Sequence, residues 1–311
     1  MISLPIAFII MAHGDEVQLR RLVCRLRPHR IFIHWDAKAG APPSIDNVTF
    51  VKPRYPVYWA GYSQVNATIA LMKAVIADGA KYSKVMLLSG SCYPIRPVAD
   101  LHRKFMLDGG ANYINAVRVA DSPHLTRMVS DVRFRDSLMP WQLSERLLNY
   151  KAEKVLRKGI EAFCKFLPTK KGYIAPLYHG STWWALTPET VKYILEFIDN
   201  HLEIVNFYRR TFAADEQIFH TIVHNSDEHV NGAQVHSYQG RGVYRTANLH
   251  IIDPSLSKWY EYRDLAEIET SDMFFVRKVK SLLSDKLLDA LDERMSPGAR
   301  FMSADAERSR N

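Results

Sequence analysis

The sequence predicts an α/β protein with a mixed, mainly parallel sheet flanked by helices. Ile6–Met11 is an unbroken apolar run, the pattern of a strand covered on both faces. Strand and helix patterns then alternate through the first third of the chain in the order β-α-β-β-α-β. This alternation is typical of crossover connections between parallel strands, and the absence of a clear linker predicts a single large domain.

The amino-terminal elements follow from local residue spacing. Glu16–Leu26 carries its apolar residues at mostly helical intervals, and Pro28 ends that helix. Ser63 is expected to cap a helix that continues to Asp78. Short apolar runs predict the remaining strands of this part at Arg30–His34, Val48–Val51 and Lys84–Leu88.

The second half begins with a charge-rich stretch and then returns to strand character. Asp121–Lys171 is expected to be largely helical, and Tyr173–Leu186 is expected to form strand. Pro188 begins a helix, and Asp215-Glu216 opens another. The last helix is expected to be amphipathic, near Asp272–Leu291, followed by a polar end.

Composition limits the classes of function. The 311 residues include 41 basic and 33 acidic ones, a net charge of +8. The basic residues are spread along the chain, which favours an anionic ligand or surface over a nucleic-acid interface. Three widely spaced cysteines indicate neither a disulfide framework nor a zinc finger, and favour a reducing compartment. No run reaches the roughly 18 apolar residues of a membrane span, and we find no signal peptide.

A ligand is expected at the loops that follow Met11, His34 and Leu88. In an open α/β sheet, these loops lie together beyond the carboxyl ends of the strands. The chain has neither G-x-G-x-x-G nor G-x-x-x-x-G-K-[ST]. A nucleotide would therefore be held by a different set of loops.

Seven segments resemble one family in sequence and in order. They are AFIIMAH (7–13), IHWDAK (33–38), WAGYS (59–63), LLSGSCYPI (87–95), GSTWWALT (180–187), DEQIF (215–219) and SDMFFVRK (271–278). The chain thus resembles the core-2/I-branching β-1,6-N-acetylglucosaminyltransferases, a family that includes protein O-xylosyltransferases and many bacterial proteins. The resemblance covers about residues 5–280.

The resemblance implies a GT-A-like, Rossmann-related fold and an inverting transfer of a sugar from a UDP-sugar. It places the transferase domain at 1–285, with a donor-binding half at 1–120 and an acceptor-binding, catalytic half at 121–285. Residues 286–311 would then form the end of the last helix and a disordered tail. It also implies a metal-independent reaction without cofactor. The sequence agrees in having no D-x-D triplet to hold a divalent ion. The leaving diphosphate would then need Lys or Arg side chains.

Glu216 matches the family's catalytic base. An inverting transfer needs one carboxylate to take the proton of the acceptor hydroxyl as its oxygen attacks the anomeric carbon. The alternative is a first-turn acid that the helix dipole favours. Asp215 is expected to cap the same helix or to orient Glu216.

Cations are expected at the diphosphate. Lys278 matches a family lysine that contacts it, with Arg277 beside it; the alternative is an exposed pair on the last helix. Arg245 is the candidate for a second cation, and Arg241 is the next. Near here many relatives carry an arginine, whereas this chain has His250, which would serve only when protonated.

Other positions match the donor and acceptor sites. His13 and Asp36 match contacts to uridine, although a structural histidine and a turn-forming aspartate are the alternatives. Trp183 and Trp184 should face opposite sides of a strand, so that one ring lines the site; the alternative is that both are core residues. The remaining candidates for the acceptor or sugar site are Trp59, Ser63, Ser91 and Cys92, the last at a position where relatives often carry Asp.

Two other classes of function remain open. His220 and His224 stand one helical turn apart with Glu216 one turn earlier, a spacing that suits zinc. A non-catalytic relative that binds a nucleotide-sugar or saccharide is the other alternative. For the transferase, we expect a glycan or lipid-linked acceptor of a bacterial surface polysaccharide, a cytoplasmic location, and contact of the last helix with an anionic inner membrane.

Overall fold

A five-stranded sheet forms the centre of the molecule in the computed structural model, which describes residues 4–138, 150–164, 175–240 and 242–295. The strand order is β3-β2-β1-β4-β8, and only the β8 edge is antiparallel. The strands are β1 (Ile6–Ala12), β2 (Arg30–Trp35), β3 (Thr49–Phe50), β4 (Lys84–Ser89) and β8 (Ala185–Leu186). The predicted α/β class with a mainly parallel sheet is therefore confirmed.

Two small sheets extend this centre. The first has the order β10-β11-β5 and the second β7-β6-β9. Their strands are β5 (Cys92–Pro94), β6 (Ala116–Arg118), β7 (Tyr178–Gly180), β9 (Val235–His236), β10 (His250–Ile252) and β11 (Phe275–Arg277). The predicted strand character of Tyr173–Leu186 thus resolves into β7 and β8, and its first two residues lie outside the described part.

Helices cover both faces of the central sheet. The helices are α1 (Glu16–Leu26), α2 (Ser63–Ala77), α3 (Val98–Leu107), α4 (Pro123–Ser130), α5 (Tyr150–Cys164), α6 (Pro188–Asn200), α7 (Leu202–Tyr208), α8 (Ile218–His224), α9 (Leu265–Glu269) and α10 (Asp285–Met295). On one face of the sheet, α2 and α6 pack against apolar side chains of β1 and β4, and on the other face α1 and α3 pack against them. Burial of β1 from both sides explains its unbroken apolar sequence.

Two expectations about helices are wrong. Ser63 is the first residue of α2 and does not cap it; the hydroxyl of Ser63 accepts the N–H of Tyr58 at 2.9 Å and donates to Asp136. The stretch Asp272–Leu291 is not one helix, because Phe275 and Val276 are buried in β11 between β10 and β5.

The last helix, α10, is a packed helix. Its apolar residues Leu287, Leu288 and Leu291 are buried, so the membrane-contacting face expected there is absent from this element. In the described ranges, no helix has the length and apolar character needed to cross a bilayer.

Candidate functional site

Two adjoining cavities lie beside the central sheet. The first cavity, about 350 Å³ in volume, is lined by the predicted residues Trp59, Trp183, Asp215, Glu216, Arg277 and Lys278. Gln64, Thr182, Asp253 and Lys258 also line it, and sequence reasoning did not select them. Residues separated by more than 200 positions are thus brought to one wall.

The second cavity has a volume of about 390 Å³ and a different lining. It includes three histidines, His124, His179 and His236, together with Tyr238 and Arg245. Three residues line both cavities, namely Phe212, Glu216 and Leu256. The Glu216 carboxylate therefore lies at the junction of the two cavities.

A tight 3-10 turn holds Glu216 in this position. The turn spans Ala214–Glu216 and follows Ala213, whose φ of 50° is in the left-handed region. The N–H of Ala213 donates to the carbonyl of Ala60 at 3.0 Å, which ties the turn to the loop before α2. Asp215-Glu216 therefore precedes α8 and does not form its first turn, contrary to the sequence-based expectation.

Asp215 is a buried acceptor of two hydrogen bonds. Its Oδ2 accepts from the side-chain amide of Gln64 at 2.8 Å and from the hydroxyl of Thr182 at 2.9 Å. Burial raises the pKa of Asp215 to about 6 although both bonds favour the charged form. Because the carboxylate bonds side chains of α2 and of the loop before β8, it does not cap α8.

Glu216 has an environment that disfavours its charge. Burial raises the pKa of Glu216 well above its ordinary value, and the neighbouring Asp215 carboxylate raises it further. The positive charge of Arg277 acts in the opposite direction. A carboxyl group with a raised pKa is suited to accept a proton from a substrate hydroxyl near neutral pH.

The cations of the first cavity come from the end of β11, from the residue after it and from the loop after β10. The guanidinium of Arg277 lies over the Trp183 ring, 4.4 Å from its centroid. Burial lowers the pKa of Lys278, and Arg277 beside it lowers it further. Lys258, which the sequence analysis missed, forms ion pairs with Asp264 at 2.9 Å and Glu267 at 3.6 Å.

The expected second cation is not found beside Lys278. Arg245 is exposed and lines the second cavity, and Arg241 lies outside the described residues. His250 is buried in β10, and burial together with Arg277 lowers the pKa of His250 to about 3. A neutral imidazole cannot offset phosphate charge, and Lys258 is the cation that lines the first cavity together with Arg277 and Lys278.

The structure brings neither of the two expected uridine contacts into the cavities. His13 is exposed at the end of β1 and lines neither of them. Asp36 accepts the N–H groups of Lys38 and Val57 and forms an ion pair with the Lys38 ammonium. Asp36 therefore shows the contacts of the turn-forming alternative.

Several expected acceptor-site residues lie in the core or in supporting loops. Trp184 is fully buried and packs against Phe219, whereas Trp183 lines the first cavity, so one ring lines the site as expected. Both residues precede β8, and the expectation that they lie in a strand is wrong. Cys92 is buried in β5, with its sulfur accepting the N–H of Ser89. Ser91 is half-buried and outside both cavities, and Ser63 is held by its bonds at the start of α2.

The zinc alternative has no support from the surroundings of the two histidines. The Nε2 of His224 is 2.8 Å from the carbonyl oxygen of Ile114, and its ring stacks on Tyr178. His220 is fully buried beside Gly180. Within the described ranges, no three His, Cys, Asp or Glu side chains are grouped closely enough to hold a metal ion.

Comparison with known proteins identifies relatives of this chain. Residues 6–265 match the model of the family described as Core-2/I-Branching enzyme. Xylosyltransferase 2 of Canis lupus familiaris is 24% identical over 92% of this chain and 33% of its own length. The human beta-1,3-galactosyl-O-glycosyl-glycoprotein beta-1,6-N-acetylglucosaminyltransferase is 25% identical over 70% of this chain and 48% of its own.

The relatives are longer than the segment that matches. The chain spans about a third of the length of the xylosyltransferases to which it is similar. Among solved structures, mouse xyloside xylosyltransferase 1 in its apo form aligns over 74% of this chain and 85% of that one. That alignment has 14% sequence identity and a TM-score of 0.30.

Proposed function

Because the chain belongs to the core-2/I-branching enzyme family, we propose that it is an inverting, metal-independent glycosyltransferase. It would move N-acetylglucosamine or xylose from a UDP-sugar to a hydroxyl of a glycan acceptor. These two sugars are the ones named in the xylosyltransferase and N-acetylglucosaminyltransferase relatives. The observation that carries this proposal is the position of Glu216 at the junction of two cavities.

The two cavities suit the two substrates. In this proposal the UDP-sugar occupies the first cavity, where Lys278, Arg277 and Lys258 face the diphosphate. The acceptor occupies the second cavity, whose histidines, Tyr238 and Arg245 offer polar contacts to a saccharide. The reacting atoms then meet beside Glu216. Trp183 provides an apolar face against which the transferred sugar can pack.

The reaction is a single displacement with Glu216 as general base. The acceptor oxygen bonds to the anomeric carbon as the bond from that carbon to the UDP oxygen breaks, and the hydroxyl proton passes to the Glu216 carboxylate. One carboxylate is enough for this step, in contrast to the paired carboxylates of a retaining hydrolase. The raised pKa of Glu216 makes it a stronger base once ionised, and Arg277 favours that ionised form.

The leaving UDP needs positive charge beside its diphosphate. In this proposal Lys278 and Arg277, both partly buried, supply fixed charge on the wall of the first cavity. The Arg277 guanidinium remains positive despite the lowering of its pKa, since its ordinary value is far above neutrality. These side chains would do the work that a divalent ion does in other transferases.

Glu216→Gln tests the base. We expect the substitution to abolish sugar transfer and to leave UDP affinity within about twofold, because the amide fills the same space but takes no proton. Glu203→Gln, on the exposed side of α7, is the matched control and should retain wild-type turnover. Wild-type turnover by Glu216→Gln would contradict the base assignment.

Calorimetric titration of UDP, UDP-GlcNAc and UDP-xylose, first with EDTA and then with Mn²⁺, tests the metal-free donor site. We expect UDP to bind in EDTA, and the tighter sugar nucleotide to identify the donor. Binding that requires Mn²⁺ would contradict the role of the cations. Absence of binding under both conditions would favour a non-catalytic relative.

We propose that the acceptor is a lipid-linked unit of a bacterial surface polysaccharide. The protein would bind it at the cytoplasmic face of an anionic membrane. Helix α5 supports this location: Val155, Leu156 and Phe163 are exposed, and four basic and two acidic residues occur in its 15 positions. The three cysteines are free, as in a reducing compartment.

Co-sedimentation with phosphatidylglycerol vesicles tests this surface. Val155→Glu should reduce binding, whereas Val17→Glu, an equally exposed valine on α1, should not. Equal binding by both variants, or no binding of the wild type, would contradict membrane contact through α5.

A further inference from the structure

A buried histidine faces the proposed base from a neighbouring sheet. His179 is the middle residue of β7, where it pairs with Val117 of β6. Its side chain is almost fully buried, and its Nε2 lies 3.9 Å from Oε2 of Glu216. Its Nδ1 is buried without a hydrogen-bond partner in the described structure. Nothing in the sequence spacing connects these two residues, which are 37 positions apart.

We propose that His179 is a positioning residue that donates its Nε2–H to Oε2 of Glu216. This hydrogen bond would leave Oε1 of Glu216 free to receive the proton of the acceptor hydroxyl. The proposal rests on the assignment of Glu216 as the base. The present separation is longer than a hydrogen bond, and catalytic contacts of this kind commonly shorten when substrate closes the site.

The protonation state of His179 suits a donor of one hydrogen bond. Burial lowers the pKa of His179 to about 4, and His124 of α4 lowers it further. His220 of α8 lies close enough to interact electrostatically with it. A neutral imidazole has one N–H and one acceptor nitrogen, so donation from Nε2 leaves the lone pair on Nδ1.

The charges around Glu216 make such a donor important. Asp215, in the same turn, opposes ionisation of Glu216, and Arg277 of β11 favours it. Asp215 is buried and Glu216 is partly buried, and Arg277 favours the charged form of both carboxyl groups. A neutral N–H donor stabilises the carboxylate without adding a further charge to a buried site.

The backbone of β7 fixes His179 in place. A Cβ at the next residue, Gly180, would lie 2.3 Å from the carbonyl oxygen of Asn115 and 2.5 Å from the ring of His220. β7 is therefore packed as closely against its neighbours as a glycine allows. The side chain of His179 thus projects from a rigid strand, as a positioning group requires.

The pH dependence of turnover tests the proposal. His179→Leu should lower kcat about tenfold or more, with the KM for the UDP-sugar changed less than about threefold. The acid limb of its kcat profile should move to higher pH by roughly one unit, because the carboxylate loses a donor. His179→Gln, whose amide reaches about as far as Nε2, should restore most of kcat and the wild-type acid limb.

His201→Gln, at a histidine that follows α6 and lines neither cavity, is the matched control and should resemble the wild type. If His179→Leu does not fold, His179→Asn replaces it, since its shorter amide keeps a polar group but does not reach Glu216. A kcat profile of either variant identical to that of the wild type would overturn the proposal. Failure of His179→Gln to restore activity would also overturn it, and would favour proton transfer through the imidazole.

The Glu216→Gln background separates the two assignments. In that background His179→Leu should have no additional effect on residual turnover, because its effect depends on the carboxylate. An undiminished effect there would overturn the positioning role and leave the base assignment intact. Full turnover by Glu216→Gln alone would instead overturn the base assignment.

Discussion

Acidification should destabilise the fold through its buried histidines. His34, His179 and His250 are each less than a tenth exposed. Burial lowers the pKa of His34 and of His179 to about 4, and that of His250 to about 3, from an ordinary value of 6.5. Between these values the unfolded chain binds more protons than the folded one, so stability falls as the pH is lowered.

The magnitude follows from these pKa values. From pH 7 to pH 5.5, each of the three histidines removes about 1.2 kcal/mol, or about 4 kcal/mol together. Asp215 acts in the opposite direction, because its pKa of about 6 exceeds its ordinary 3.8; it restores about 1 kcal/mol. Glu216, whose pKa is also raised, acts in the same sense as Asp215. The three histidines and Asp215 together give a loss of about 3 kcal/mol, which Glu216 makes smaller and the buried His220, whose pKa is lowered, makes larger.

Urea unfolding followed by tryptophan fluorescence at the two pH values measures this loss. His34→Gln is the matched variant, since its amide oxygen can still accept the N–H of Tyr55 that the imidazole accepts at 2.9 Å. It should reduce the pH-dependent loss by about 1.2 kcal/mol. Equal stability at both pH values, or greater stability at pH 5.5, would refute this reasoning.

Two further predictions concern the donor cavity and the packing beneath it. Lys278→Met should weaken UDP binding in calorimetry by about 10- to 100-fold and leave the affinity for uridine unchanged. Arg245→Met, the control, should leave both affinities unchanged. Equal weakening of UDP and uridine binding by Lys278→Met would contradict the role of Lys278 at the diphosphate. Gly180→Ala should destabilise the fold by about 1–3 kcal/mol in urea, because its Cβ would meet the Asn115 carbonyl oxygen at 2.3 Å. Gly159 is exposed in α5, and among the described residues its Cβ would meet no atom within 4 Å outside the backbone of its own helix and its chain neighbours. Gly159→Ala should therefore be neutral or stabilising, and a similar loss in both variants would argue against the packing explanation.

Local patterns were sufficient for elements whose contacts are simple. The unbroken apolar run identified β1, and the helical spacing identified α1 with both of its ends, where Asp15 accepts the N–H of Gln18. The segment around Phe275 was misread because its apolar residues fit a helical face equally well. Its strand state depends on β10 and β5, which lie elsewhere in the chain and leave no trace in the local spacing.

Only those site residues that belong to family motifs could be predicted from the sequence. Glu216 and Lys278 were selected by family resemblance, and the structure brings them to one cavity. Lys258 was missed because a lone surface-type lysine gives no signal in a single sequence. His179 was missed because its relation to Glu216 depends on the packing of β7 against the turn before α8.

The sequence likewise does not predict which of the two cavities each arginine lines. Arg245 and Arg277 are 32 positions apart and equally plausible as phosphate ligands from sequence alone. The structure places Arg277 at the end of β11, against Trp183, whereas Arg245 lies in a 3-10 turn that borders the second cavity. Only the three-dimensional course of the chain shows that the two arginines line different cavities.

The anomeric configuration of the transferred sugar tests the central claim most directly. A product formed from an α-linked UDP-sugar, examined by proton NMR before any mutarotation, should carry the sugar in β linkage to the acceptor oxygen. That outcome is required if the acceptor attacks once, from the cavity opposite UDP, with Glu216 taking its proton. An α-linked product would contradict the single displacement and, with it, the role of Glu216 between the two cavities.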